Sequence, residues 1–177
     1  MTIIIIGSPP TAPATSARSA AGRYAVYLPI IGTANPVAVF YRSLATDARQ
    51  QRANLERCKC LEAAAQRRAQ GLAAGGPWDH VDAAGVTPNE YARAAGCVLP
   101  ADYAPRGNNI ESLCAGSADP AIILAALANS TKHAPHLFGH GWFNHQRHMG
   151  IAMAEGGDLG WYWVILIALC EGQTSGE

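Results

Sequence analysis

The chain has 177 residues, enough for one domain of ordinary size with a flanking segment. Hydrophobic residues make up 49% of it, which can support a core. Lys+Arg and Asp+Glu balance at 13 each, so no electrostatic footprint for nucleic acid or an anionic membrane is expected.

Taken from the start, residues 1–34 read as an extended N-terminal arm. The opening M-T-I-I-I-I-G lacks a basic region and has only four apolar residues in a row, so it predicts no classical secretion signal. Ser8 to Ala21 is built of Ser, Pro, Thr, Ala and one Arg, a composition that buries too little apolar surface to fold alone. Two β-type runs flank it, Ile3–Ile6 and Tyr24–Ile31. Such runs gain most by pairing with a sheet edge, in cis or on a neighbouring subunit.

Residues 35–177 form the expected globular domain. Three helix starts share one form, a capping residue followed by proline at the first helical position: Asn35-Pro36, Thr87-Pro88 and Asp119-Pro120. Thr87 and Glu90 also have capping-box spacing. The first helix carries Val37, Phe40, Tyr41 and Leu44 on one face. A second helical pattern runs through Leu55, Cys58, Leu61, Ala65, Ala69 and Leu72 and ends at Gly75-Gly76. Short helices are expected from Pro88 to about Ala95 and from Pro120 onward. Met149–Ala154 and Trp161–Leu169 read as two strands joined by E-G-G-D-L-G. The second strand is apolar on nearly every residue, so both of its faces should be covered. Trp161, Tyr162 and Trp163 are expected in the core. The longest apolar run, Trp161 to Cys170, is 10 residues, well short of the roughly 20 a membrane-spanning helix needs.

The five cysteines, Cys58, Cys60, Cys97, Cys114 and Cys170, contain no C-x-x-C pair. Most are expected to be buried free thiols, with a Cys97–Cys114 bridge in an oxidising compartment. Cys58 and Cys60, two apart on an expected helix, should point in different directions and not chelate together. Five of the six histidines crowd between His133 and His148, and His80 stands alone. His136, His140, His145 and His148 are expected on a solvated loop marked by Gly139 and Gly141.

Four stretches in order, and a closing strand pair, resemble the CAP superfamily of cysteine-rich secretory, antigen 5 and plant pathogenesis-related proteins. L-E-A-A-A-Q-R-R-A-Q-G-L-A followed by His80 is similar to the family's helix leading to its first histidine. G-V-T-P-N-E-Y-A-R-A-A-G is similar to the segment that follows. Gly107–Gly116, G-N-N-I-E-S-L-C-A-G, looks like G-E-N-I-x-x-G, and Leu127–His133, L-A-N-S-T-K-H, looks like W-x-N-S-x-x-H. M-G-I-A and G-W-Y-W-V-I-L resemble its last two strands. The resemblance covers roughly residues 37–170. It implies an α+β fold, a three-layer α–β–α sandwich of CAP type. It also implies a cleft in which His80 and His133 form a ligand or metal pair able to hold a divalent ion such as zinc, with Asn108, Glu111 and Ser130 as neighbours.

Departures from the family pattern lower the expectation of catalysis. The family's acid in G-E-N-I is Asn108 here, an amide that cannot serve as a base near neutral pH. Glu111 lies three residues on and reaches that place only if the backbone shifts. A histidine base would then lack the acid that orients it. Ser130 sits three residues before His133 but in no G-x-S-x-G elbow, so no nucleophile is assigned. No catalytic residue is expected, and no cofactor beyond that ion. The expected function is a non-enzymatic structural or binding subunit of a larger assembly. A virus or phage particle is the expected setting, joined to other protein subunits through residues 1–34. The alternatives are a CAP-type binder of a lipid, peptide or cell-wall ligand and, last, a histidine- or metal-dependent hydrolase. The expected location is a virion or other extracellular assembly, with the cytoplasm as the alternative.

Overall fold

The computed structural model describes residues 4–5 and 34–171 of the chain. The first strand, β1, is Ile4–Ile5, followed by helix α1, Pro36–Ala45, and strand β2, Glu56–Arg57. Helix α2 spans Lys59–Ala73, α3 Pro88–Ala94, and strand β3 Glu111–Ala115. Helices α4, Pro120–Ala128, and α5, Ala134–Phe138, precede a 3-10 turn at Gly141–His145. Strands β4, His148–Gly156, and β5, Gly160–Ala168, complete an α+β fold. Residues 1–3 and 6–33 of the expected arm, Tyr24–Ile31 among them, lie outside the described part.

The capping chemistry sets the helix starts. Asn35 Oδ1 accepts from the Val37 N–H at 2.9 Å, and Asp119 Oδ1 from the Ala121 N–H at 2.8 Å. Glu90 closes the α3 capping box by accepting from the Thr87 N–H at 2.9 Å. Helix α2 begins later than its apolar pattern suggests. Glu56 and Arg57 pair in parallel with His148 and Met149, so Leu55 precedes a strand rather than opening a helix.

The sheet order is β1-β3-β5-β4-β2. The centre is antiparallel: β5 pairs with β3 (Leu113 opposite Val164) and with β4 (Ile151 opposite Ile165). Both edges are parallel additions, and β1 places Ile4 opposite Cys114. Alternation along β5 explains its unbroken hydrophobicity. Tyr162, Val164, Leu166 and Ala168 enter one core with α2 and α3. Trp163, Ile165 and Ile167 enter a second core with α1, α4 and α5. Helices therefore cover both faces of the sheet. Gly150 sets the spacing on the α2 side, because a Cβ there would run into the Leu61 and Glu62 backbone. Trp163 is fully buried and donates its indole N–H to the Ser117 carbonyl at 2.8 Å, Tyr162 is buried and Trp161 is half-buried.

The structure corrects the cysteine expectations. The disulfide joins Cys60 to Cys97, not Cys97 to Cys114. Cys114 points into the opposite core from Cys97 and is a buried free thiol. Cys58 is not on the helix; it caps it in an extended conformation, which turns its sulfur to within 3.2 Å of that of Cys60.

Candidate functional site

The site is built around a carboxylate with no exposed surface. Strand alternation sends Glu111, Leu113 and Ala115 toward α2 and sends Ser112 and Cys114 toward α5. Glu111 Oε1 meets His80 Nδ1 at 2.8 Å, and its Oε2 lies 3.5 Å from Arg68 Nε. Arg68 is itself buried and donates to the Asp79 carbonyl, so one guanidinium holds both the acid and the loop that carries His80. Burial pushes the Glu111 carboxyl above the usual range, opposed by the His80 hydrogen bond and the Arg68 charge.

His133, at the N-terminal end of α5, is fully buried. Its Nδ1 lies 2.8 Å from Ser130 Oγ. Desolvation, with the charges of His80 and Lys132 adding to it, lowers its pKa to about 4, so the ring is neutral at pH 7. In both His80 and His133 the Nδ1 is engaged while Nε2 is buried without a hydrogen-bond partner. Among the described residues, no group of three or more His, Cys, Asp or Glu close enough to hold an ion includes His80 or His133.

Glu111, and not the position of Asn108, supplies the acid of the site. Asn108 Oδ1 accepts from the Ile110 and Glu111 N–H groups at 3.2 and 2.8 Å, which makes it the cap of the turn entering β3. Glu111 is the acid facing His80 and needs no backbone shift, because the strand begins there. The orienting acid expected to be missing is therefore present. Ser130 is tied to His133, and a base with a pKa of about 4 activates a hydroxyl poorly near neutral pH.

The expected loop histidines divide. His136 is fully buried on α5 between Ser112 Oγ at 2.8 Å and the Ile167 carbonyl at 3.3 Å, and burial lowers its pKa to about 3. His148 opens β4, buried, and its Nδ1 accepts from the Cys170 N–H at 3.0 Å. His140 and His145 are half-buried, the latter edge-on to Trp142 at 4.7 Å. The residue the sequence reading missed is Arg68. Its signal is a lone cation in the series Leu61, Ala65, Arg68, Leu72, the buried stripe of α2.

The chain is an α+β domain with helices on both faces of a mixed sheet. The architecture is similar to that of an outer surface protein from Borrelia burgdorferi: TM-score 0.60 and 21% identity, over 80% of this chain and 97% of that one. No family model and no curated protein sequence matches the chain. None of the described helices is long and apolar enough to cross a membrane.

Proposed function

We propose that the chain is a divergent CAP-type domain, its layers the α–β–α sandwich of that family, and that its cleft binds a ligand through a divalent ion such as zinc at His80 and His133. The observation that carries this is the pair of buried, unpartnered Nε2 atoms. A buried nitrogen without a partner costs free energy, and native interiors rarely leave one. The tautomers suit an ion. When Nδ1–H of His80 donates to Glu111 and Nδ1–H of His133 to Ser130, both Nε2 lone pairs are open, with a carboxylate behind one as in many histidine metal sites. His133 is already neutral at pH 7, so it need shed no proton. Two imidazoles are half of a zinc shell, and the ion would offer an anchor for an anionic or carbonyl group of the ligand.

Binding is favoured over catalysis because the serine nearest the pair lacks an effective base. The likeness to an outer surface protein supports a place outside the cell. We keep a virion or other extracellular assembly as the setting. A second reading is a purely structural subunit joined to other subunits through residues 1–34, of which Ile4–Ile5 pairs here with β3 of its own chain.

The test is equilibrium dialysis of the full chain against zinc without reductant, for wild type and His80→Ala. One equivalent bound by wild type, weakened at least about tenfold in the variant, is expected. No zinc bound, or equal binding by both proteins, would remove the His pair as a metal site and leave the structural-subunit reading.

A further inference from the structure

Four of the five cysteines converge from three separate parts of the chain. Cys58 and Cys60 lie at the start of α2, Cys97 follows α3, and Cys170 follows β5. All four are buried, and their sulfurs lie within 4.8 Å of one another. The backbone around each is fixed. The Cys58 N–H donates to the Met149 carbonyl at 2.9 Å, Cys97 N–H to Ala92 at 3.0 Å, and Cys170 N–H to His148 Nδ1 at 3.0 Å. Glu171 N–H donates to the Val98 carbonyl at 2.8 Å, locking the two outer cysteine segments together.

The structure assigns to Cys58, Cys60, Cys97 and Cys170 a redox-gated site that closes around one zinc ion when the Cys60–Cys97 disulfide is reduced. In a zinc tetrathiolate the Zn–S bonds of about 2.3 Å put sulfur pairs about 3.8 Å apart. Cys58 and Cys170 already stand at 3.8 Å, and Cys58 and Cys60 at 3.2 Å. Opening the disulfide is the one large change required.

Thiol–disulfide exchange by Cys58 is the competing use, and the geometry is against it. Attack on sulfur runs nearly in line with the bond it breaks. With an S–S bond of about 2.05 Å, the 4.8 Å ceiling on Cys58–Cys97 bends the Cys58···Cys60–Cys97 line to at most about 130°. Four sulfurs packed as a compact tetrad suit one central ion better than a relay. Cys58 stands at the N-terminal end of the 15-residue helix α2, where the helix dipole favours a thiolate.

The chemistry balances with an external dithiol as reductant. Its two thiols give two electrons and two protons to the Cys60–Cys97 bond, leaving two protein thiols and a cyclic disulfide. Zinc then replaces the protons of the four thiols, which pass to solvent. Cys60 is the least buried of the four residues, at 9% exposure. A reducing interior thus favours the zinc form and an oxidising exterior the disulfide.

The test uses the full chain with and without a dithiol, titrated with zinc and with cobalt(II). The reduced chain should bind one ion at these sulfurs, with cobalt showing sulfur-to-metal charge transfer and the visible bands of a tetrahedral tetrathiolate. Disulfide-intact chain should show neither band, whatever it binds at the histidines. Cys170→Ser should weaken the reduced site about 100-fold, with Cys58→Ser as a second variant should that one fail to fold. Cys114→Ser, on the other face of the sheet, should leave it unchanged. A reduced chain without sulfur-to-cobalt charge transfer overturns the proposal, as does undiminished affinity in Cys170→Ser or an equal spectrum from the oxidised chain. The His80→Ala variant separates this outcome from the imidazole site, since it should keep the tetrathiolate spectrum.

Discussion

Replacing Glu111 with Gln isolates the charge at the centre of the site. The side chain keeps its shape, and its oxygen can still accept the Nδ1–H of His80. What is lost is the balance for Arg68, which is 1% exposed and would keep the Asp79 carbonyl and the face of Tyr91 but no counter-charge at Glu111. Removing one partner of a buried pair costs about 3–5 kcal/mol, because the remaining charge stays desolvated. The Asp79 carbonyl places the expected loss at the low end, about 3 kcal/mol. In a chain of this size that lowers Tm by about 6–12 °C. Urea unfolding followed by tryptophan fluorescence, reported by buried Trp163, measures it directly. The double variant Arg68→Met/Glu111→Leu removes both charges and should return to within about 1 kcal/mol of wild type. A Glu111→Gln chain within about 0.5 kcal/mol of wild type would refute the reasoning, as would a double variant no better than the single one.

Acid should destabilise the chain through His133 and His136. Their folded pKa values of about 4 and about 3 lie below the unfolded value near 6.5, so their contribution is complete above pH 6.5 and is lost as pH falls through 4 and then 3. Each ring adds up to about 1.4 kcal/mol per pH unit, and a urea midpoint that stays flat from pH 7 to pH 4 would contradict it. Glu111 runs the other way: its raised pKa lets the folded chain hold that proton to higher pH, so its contribution declines as pH rises through the raised value. Gly150→Ala should cost about 3 kcal/mol or more in thermal unfolding, because α2 must lift off β4, whereas Gly71→Ala, in open space on α2, should be neutral or stabilise by up to about 1 kcal/mol. Asn108→Ala should cost about 1–2 kcal/mol in urea unfolding by uncapping the turn into β3; no measurable loss would show that the turn holds without it.

The helix starts were legible because Asn35-Pro36, Thr87-Pro88 and Asp119-Pro120 encode them locally. The hairpin was legible because β5 is apolar on both faces and is flanked by glycine. Strand β3 was not read as a strand, since all five of its residues are buried and show no alternation of polarity. His136 and His148 were misread because their burial depends on distant partners, the Ile167 carbonyl and the Cys170 N–H, that no local pattern announces. The same holds for Cys60 with Cys97, where the pairing follows from how α2 and α3 dock. His80 and His133 came from a resemblance rather than from spacing. That Glu111 faces His80 while Asn108 caps the turn before it shows how little such a resemblance fixes in a turn that one capping amide can redirect.

The two-residue parallel strand at Ile4–Ile5 has a consequence for assembly. It occupies the β3 edge of the sheet in its own chain. Strand pairing reads backbone and register, and both are the same in every copy of this chain. In the sequence 30 residues, the numbers 6–35, separate Ile5 from α1, a length of chain whose reach does not decide which copy is served. Exchange of this strand between two copies would therefore be a domain swap in which each sheet keeps all five strands. Protein concentration, rather than any new contact, would set the balance between closed monomer and exchanged pair.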